Sequence, residues 1–371
     1  MKKILYVATI TGHFYYFHLP SMKMFKELGW QVDVAAHGGI ELPYCDNRYE
    51  ISIQRSPADK ENISAYKQLK KIINENNYDI IHCHTPMGGI LARLAARSAR
   101  KKSTKVLYTA HGFHFYKGAP VLNWLIYFPI ELVMSFMTDG LITINDEDFQ
   151  FAKKHLKAKE IYKVNGVGYN SDRFFPVSKE EKLSIREKLG YSEDEKILIY
   201  VAEMNANKNQ GMLILTLKIL DEKYGNYRLL IAGADNFNGE YPRLAKELGI
   251  DGKTDFLGHR SDIDDLLHMS DIAVGSSIRE GLPVNVMEAL AVGLPVVLSD
   301  NRGHRVLAVN GKNGYTVNVN DYAAMAERIE EIAENEQIYN EFSANAVELV
   351  KPYSKESVML ELKEIYRRYI G

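Results

Sequence analysis

Ser276-Ser-Ile-Arg-Glu-Gly-Leu-Pro-Val-Asn-Val-Met-Glu-Ala-Leu-Ala-Val-Gly-Leu-Pro-Val-Val-Leu-Ser-Asp-Asn301 reads as a strand end, a polar loop, a helix and the start of the next strand. The apolar run before it stops near Gly275, Pro283 opens the helix, and Gly293-Leu-Pro295 closes it. Glu280 lies in the loop and Glu288 about a turn and a half inside the helix, so both carboxylates can face whatever occupies the end of the sheet. A helix start offers free N–H groups and a positive dipole end, which suits an anion, and carboxylates suit hydroxyl groups. Two solvated charges are the competing reading of the same pair.

The same strand-then-helix rhythm runs outward in both directions. Strand patterns are expected at 3–10, 31–36, 79–83, 105–110 and 140–145, with helical periodicity at 17–28, 62–74, 88–100 and 121–137. A second series follows, with strands at 196–202, 227–232, 271–274 and 295–298 and helices at 210–223, 241–248, 262–269, 321–334 and 338–350. Such alternation predicts an α/β fold with parallel, doubly wound sheets. Residues 172–192, with Pro176 and a Ser-Lys-Glu-Glu-Lys run, break the apolar rhythm and are the expected linker.

A chain of 371 residues, 46% hydrophobic and 25% charged, can bury two cores. Met1-Lys-Lys leads straight into a strand pattern without a cleavage-like site, so no leader is expected. Cys45 and Cys83 give no disulfide framework and suit a reducing cytoplasm. The net charge of −2 hides an asymmetry: residues 1–173 carry 23 Lys+Arg against 16 Asp+Glu, a net of +7, and the remainder is −9. Arg93, Arg97 and Arg100 share a helical face, followed by Lys101, Lys102 and Lys105. That stripe reads either as a solvated face or as contact with an anionic membrane surface, about 1 kcal/mol per basic residue. The apolar segment 121–137 is interrupted by Pro129 and is short for a membrane span. No nucleic-acid recognition module is present, and the slightly acidic balance disfavours that partner.

Ligands of doubly wound sheets bind beyond the carboxyl ends of the strands. The first such loop, Thr9-Ile-Thr-Gly-His-Phe14, has a single glycine, Gly12, where a dinucleotide fingerprint needs three. In Asp79-Ile-Ile-His-Cys-His84, strand alternation sets His82 and His84 on one face and Cys83 on the other, so these three do not converge on one ion. His111, ahead of Gly112, reads either as structural or as ligand-facing. Lys208, between a strand and a helix, reads as a phosphate contact or as a solvated loop lysine. Phe256-Leu-Gly-His-Arg260 is expected to end a short strand, and its backbone could edge a planar base.

Together, Glu280-Gly-Leu-Pro-x4-Glu288-Ala-Leu-Ala-x-Gly293-Leu-Pro, His111-Gly-Phe-His-Phe, Gly140-Leu-Ile-Thr-Ile-Asn-Asp-Glu-Asp, Asn207-Lys-Asn-Gln and Leu257-Gly-His-Arg-Ser-Asp-Ile resemble the retaining GT-B glycosyltransferases of family four, in the branch that builds bacterial exopolysaccharide and capsule. The resemblance covers nearly the whole chain. It implies two Rossmann-like domains facing across a cleft: 1–173 on the acceptor side, completed by a crossover helix in 353–371, and 174–352 on the donor side. It implies a hexosyl- or N-acetylhexosaminyl-transferase that moves a sugar from a nucleotide sugar, UDP-linked, to a lipid-linked glycan, cytoplasmic and peripheral at the inner face of the plasma membrane.

Carried over by motif, His111, Glu280 and Lys208 would be catalytic. Gly12, Arg260, Gly281, Leu282, Pro283, Asn285, Val286 and Glu288 would bind the donor. Glu288 would hold the ribose hydroxyls, Glu280 those of the sugar, and Lys208 the diphosphate. No metal and no cofactor besides the nucleotide sugar is implied. Where relatives commonly carry Arg five residues before the lysine, this chain has Glu203, which leaves open a catalytically weak sugar-nucleotide-binding subunit of a polysaccharide-synthesis complex.

Overall fold

The computed structural model describes residues 1–370. The chain forms two compact units, one from Met1–Gly168 and the segment beginning at Lys355, the other from Tyr169–Ser354. Each is built on one parallel sheet.

In the first unit, strands β1 (Lys3–Ile10), β2 (Gln31–His37), β3 (Asn47–Glu50), β4 (Ile80–His84), β5 (Lys105–Ala110), β6 (Gly140–Thr143) and β7 (Glu160–Lys163) pair in the order β3-β2-β1-β4-β5-β6-β7. In the second, β8 (Lys196–Val201), β9 (Tyr227–Ala232), β10 (Thr254–Gly258), β11 (Ile272–Gly275), β12 (Val296–Ser299) and β13 (Gly314–Val317) pair in the order β10-β9-β8-β11-β12-β13. Strand order reverses between β1 and β4 and again between β8 and β11. Those two places are where a parallel sheet leaves a crevice for a ligand.

Burial on both faces explains the aliphatic strands. In β1, Leu5 and Val7 join one core with Ile81, Cys83 and Leu91, while Ile4, Tyr6 and Ala8 join another with Phe14, Phe25 and Val32. The helix Lys355–Ile370 belongs to the first unit. Its Tyr366 is buried against Phe25, and its hydroxyl lies 2.7 Å from His82 Nδ1.

Three features depart from the sequence reading. Residues 172–192 are not a linker: Lys179–Leu189 is a helix with a complete capping box between Ser178 and Glu181, closed by Gly190 at φ +82°. The chain passes between the units at Gly168–Tyr169 and returns at Ser354–Lys355, with Tyr169 N donating to Tyr353 O. Strands β3, β7 and β13 were not expected, and β10 was expected only at its end. All four are sheet edges, where one partner and partial exposure leave a weak apolar signal.

The third departure is the basic stripe. Arg93 is fully buried, its guanidinium doubly bonded to Glu131 at 2.5 and 3.1 Å, its Nε donating to Gly89 O, and its plane 4.0 Å from the centre of the Tyr108 ring. Arg100 is paired with Asp139 and donates to Phe136 O. A helical face read from sequence as either solvated or membrane-facing instead spends Arg93 on the helix Val121–Ser135 and Arg100 on the turn that follows it, leaving Arg97, Lys101 and Lys102 exposed.

Candidate functional site

The loops after β8 and β11 meet at the reversal point of the second sheet. Ile278 N donates to Asn207 O, Asn207 Nδ2 to Arg279 O, and Ser276 Oγ to Lys208 O. These bonds set the Lys208 ammonium 2.5 Å from Glu280 Oε1, with both side chains largely buried. The helix Val284–Ala291 starts beside them. Pro283 precedes it at ψ 120° and no side chain caps it, so first-turn N–H groups around Asn285 and Val286 are open to an anion. Asn285 itself ties this start to the sheet by donating to Val201 O at 2.8 Å.

The expected site residues of the second unit fall into two sets. Lys208, Glu280, Gly281, Leu282, Pro283, Asn285 and Val286 come together here, with Leu282 and Val286 buried as the packing side of the motif. Glu288 is half-buried one turn into the helix and lies within electrostatic reach of Arg173. Arg260, by contrast, is committed to Asp262, its Nε 2.8 Å from the carboxylate, so its charge is already matched. Glu203 also has a structural role, since its carboxylate accepts from Asn205 at 3.0 Å and Asn236 at 2.7 Å, joining the loops after β8 and β9. A phosphate-gripping arginine could not make those two bonds. Gly233 permits this approach, since a Cβ there would stand 2.0 Å from Ala202 O.

Sequence reasoning missed the support beneath Glu280. Asn301 accepts from Gly303 N and His304 N and donates to Ser277 O, His304 Nδ1 lies 2.7 Å from Ser299 O, and Tyr200 and Ser277 hydroxyls are 2.6 Å apart. A Cβ at Gly303 would come within 2.8 Å of Glu280 Cβ, so this turn backs the carboxylate directly. Asp300-Asn-Arg-Gly-His304, following a strand, was the available signal.

Burial lowers His304 to a pKa of about 4. Its folded value lies below its unfolded one, so the unfolded chain binds more protons in between. The contribution of His304 is complete above about pH 6.5 and shrinks as pH falls towards 4. Between pH 7 and 5 the second unit is expected to lose roughly 2 kcal/mol from this group. His304→Gln should flatten that slope in pH-dependent denaturation followed by hydrogen exchange in residues 296–317, and an unchanged slope would show that other groups cause it.

The reversal point of the first sheet holds a different chemistry. His13, in the short helix Gly12–Phe17, stands with His18, with His84 at the end of β4 and with His111 after β5. Their nearest ring nitrogens are 3.2 Å apart for His13–His111 and His13–His18, and 3.3 Å for His84–His111. Among the described residues this is the group of His, Cys, Asp and Glu whose ligand atoms could hold a metal ion. A Cβ on Gly12 would meet nothing nearer than 3.5 Å, so packing does not demand a glycine there. Next to the cluster Thr85 is held at φ +61°, rare for a β-branched residue, with its hydroxyl 2.8 Å from that of Thr9. A cavity of about 360 Å³ opens alongside, lined by Ile10, His13, Arg55, Thr85, Ile90 and Tyr127 among others.

Residues 181–349 match the family model "Glycosyl transferases group 1", and residues 3–145 match "Glycosyl transferase 4-like". EpsD of Bacillus subtilis (strain 168), which carries a provisional glycosyltransferase description, is 47% identical over 370 residues, covering 100% of this chain and 97% of that protein. The UDP-Gal:alpha-D-GlcNAc-diphosphoundecaprenol alpha-1,3-galactosyltransferase of Escherichia coli is 29% identical over 71% of this chain and 67% of its own length. Among solved structures, sucrose-phosphate synthase from Thermosynechococcus elongatus superposes with a TM-score of 0.81 at 18% identity, covering 99% of both chains. The two Rossmann-like parallel sheets are those of the GT-B fold.

Proposed function

Because this chain belongs to the group 1, family-four-like glycosyltransferases, we propose that it transfers a sugar from a UDP-sugar to a lipid-linked glycan, with retention of configuration, in exopolysaccharide or capsule assembly. The observation that carries this reading is the Lys208–Glu280 pair beside the uncapped start of the helix Val284–Ala291. The E. coli relative supports the donor class and the diphospholipid acceptor.

Breaking an anomeric bond builds negative charge on the departing diphosphate. Lys208 and the open N–H groups are fixed in advance where that charge can settle, which is the contribution usually largest in such catalysis. On this reading the diphosphate takes Lys208 from Glu280, and the released carboxylate accepts from hydroxyls of the donor sugar. Glu288 accepts from the ribose. Glu280 serves as a grip and not as a nucleophile, and the leaving phosphate takes the proton of the incoming hydroxyl. The cavity beside His13 and Thr85 is assigned to the acceptor.

Among the described residues no helix is long and apolar enough to cross a membrane. Contact with the inner membrane surface is assigned to the helix Val121–Ser135, whose Val121, Leu122 and Leu125 are exposed, with the exposed Phe136 at its end bonded through its carbonyl to Arg100, which the exposed Lys101 and Lys102 follow in the chain. This replaces the Arg93-led stripe.

The test is a melting-temperature panel of uridine, guanosine and adenosine diphosphates with their sugars. A UDP-sugar at a hundred times its dissociation constant should stabilise the second unit by about 2.7 kcal/mol, and Glu288→Ala should remove most of that shift. A panel in which no nucleotide moves the transition would overturn the reading.

A further inference from the structure

We propose that His13, His18, His84 and His111 form a binding site for a borderline-soft transition-metal ion of the zinc class at the reversal point of the first sheet. The four ligand atoms all lie within 4.8 Å of one another, and the three closest pairs are 3.2, 3.2 and 3.3 Å apart. A tetrahedral ion with metal–nitrogen bonds of about 2.0–2.1 Å has nitrogen–nitrogen edges of roughly 3.3–3.4 Å. Three of the six edges therefore already stand near the length such an ion imposes, and the others, within 4.8 Å, would draw in on binding.

Hydrogen bonding among the rings does not account for this convergence. A neutral imidazole nitrogen is either an N–H donor or a lone-pair acceptor, pointing one way in the ring plane. His13 Nε2 nevertheless faces both His18 and His111, and His111 Nε2 faces both His13 and His84. The three contacts cannot all be well-formed hydrogen bonds at once, whereas lone pairs directed at one cation satisfy all of them. On the far side of its ring, His84 Nε2 is buried with no hydrogen-bond partner, so the cluster is not explained as a satisfied polar network.

The chemistry of the donor set selects the ion. All four ligands are imidazoles; no carboxylate or thiolate belongs to the group. Nitrogen ligands suit zinc, cobalt, nickel and copper, whereas magnesium and calcium require oxygen. The surroundings are apolar and aromatic: Tyr6 stacks on His84 at 6.2 Å and Phe14 packs edge-on at 5.8 Å. The ion would join three separate segments, the residues after β1, the end of β4 and the residue after β5. It would thereby fix the loop of Gly12 and the position of His111. The metal-free expectation drawn from the family resemblance does not anticipate such a site, and the site does not depend on the glycosyl-transfer reading.

The experiment uses the full chain without an affinity tag, stripped by chelator and titrated with Co²⁺ while visible absorption is followed, then with Zn²⁺ as competitor. Expected are one equivalent of Co²⁺ with the intense visible bands of tetrahedral coordination, their loss on adding Zn²⁺, and a rise in melting temperature with Zn²⁺ but not with Mg²⁺. His13→Ala and His111→Ala should each weaken binding on the order of 100-fold with an unchanged circular dichroism spectrum. If a variant fails to fold, the wild-type cobalt spectrum and stoichiometry decide by themselves. Absence of stoichiometric binding, octahedral spectra, or affinity unchanged in both variants would overturn the proposal and leave four rings packed as a polar cluster.

Discussion

Replacing Lys208 with alanine is expected to lower kcat/KM for sugar transfer by about 10²–10³-fold while leaving the second unit folded. The backbone of Lys208 is held independently of its side chain: its N–H is bonded to Asn205 Oδ1 at 2.9 Å and its carbonyl accepts from Ser276 Oγ at 2.7 Å. Removing the ammonium therefore removes a charge without dismantling the loop. It also leaves Glu280, only 15% exposed, without its cation and facing the place where a diphosphate would sit. That repulsion should raise the dissociation constant for the nucleoside diphosphate as well. Glu280→Gln separates the two effects, because it keeps the shape, frees Lys208 and should tighten the diphosphate while weakening sugar selection. Turnover of Lys208→Ala at the wild-type rate would mean that the departing charge is stabilised elsewhere, and the assignment of this site would fail.

Arg93→Ala is expected to destabilise the first unit by about 3–5 kcal/mol, because it strands Glu131 in the interior without its partner. The guanidinium also loses its bond to Gly89 O and its stacking on Tyr108, and the truncation leaves a void between the helices Pro86–Ala95 and Val121–Ser135. Replacing both partners, Arg93→Met with Glu131→Leu, should recover most of the loss, since a buried ion pair contributes little beyond an apolar pair of similar volume. Both tryptophans, Trp30 and Trp124, belong to the first unit, so tryptophan fluorescence during denaturation reports that unit alone. A small shift for the single variant would show that water reaches Glu131. Equal loss in single and double variants would show that packing volume outweighs the charge.

The contrast between Arg93 and Glu280 shows how far the sequence was readable. The Ser276–Asn301 stretch carried its own structure: an aliphatic strand, a polar loop, Pro283 at a helix start and Gly293 at φ +88° after its end are local signals, and the folded chain uses each. The central strands were legible for a similar reason, since burial on both faces demands near-continuous aliphatic runs. The edge strands β3 and β7 were not, because Asn-Arg-Tyr-Glu and Glu-Ile-Tyr-Lys are strands only by virtue of the neighbour they pair with. Arg93 was misread because helical spacing fixes which residues share a face but not what that face meets.

Sequence by itself determined two βα series, the motif that sets Glu280 in a loop ahead of a helix start at one strand end, and the family the chain belongs to. Each depends on residues close in the chain or on patterns with a short period. Tertiary structure alone decided that Lys208 and Glu280 face each other across 72 positions, that Asn301 and His304 brace them, and that four histidines from three segments share one point. Those arrangements depend on which strands become neighbours. Parallel pairing joins residues far apart in sequence, and no local periodicity encodes where their side chains converge.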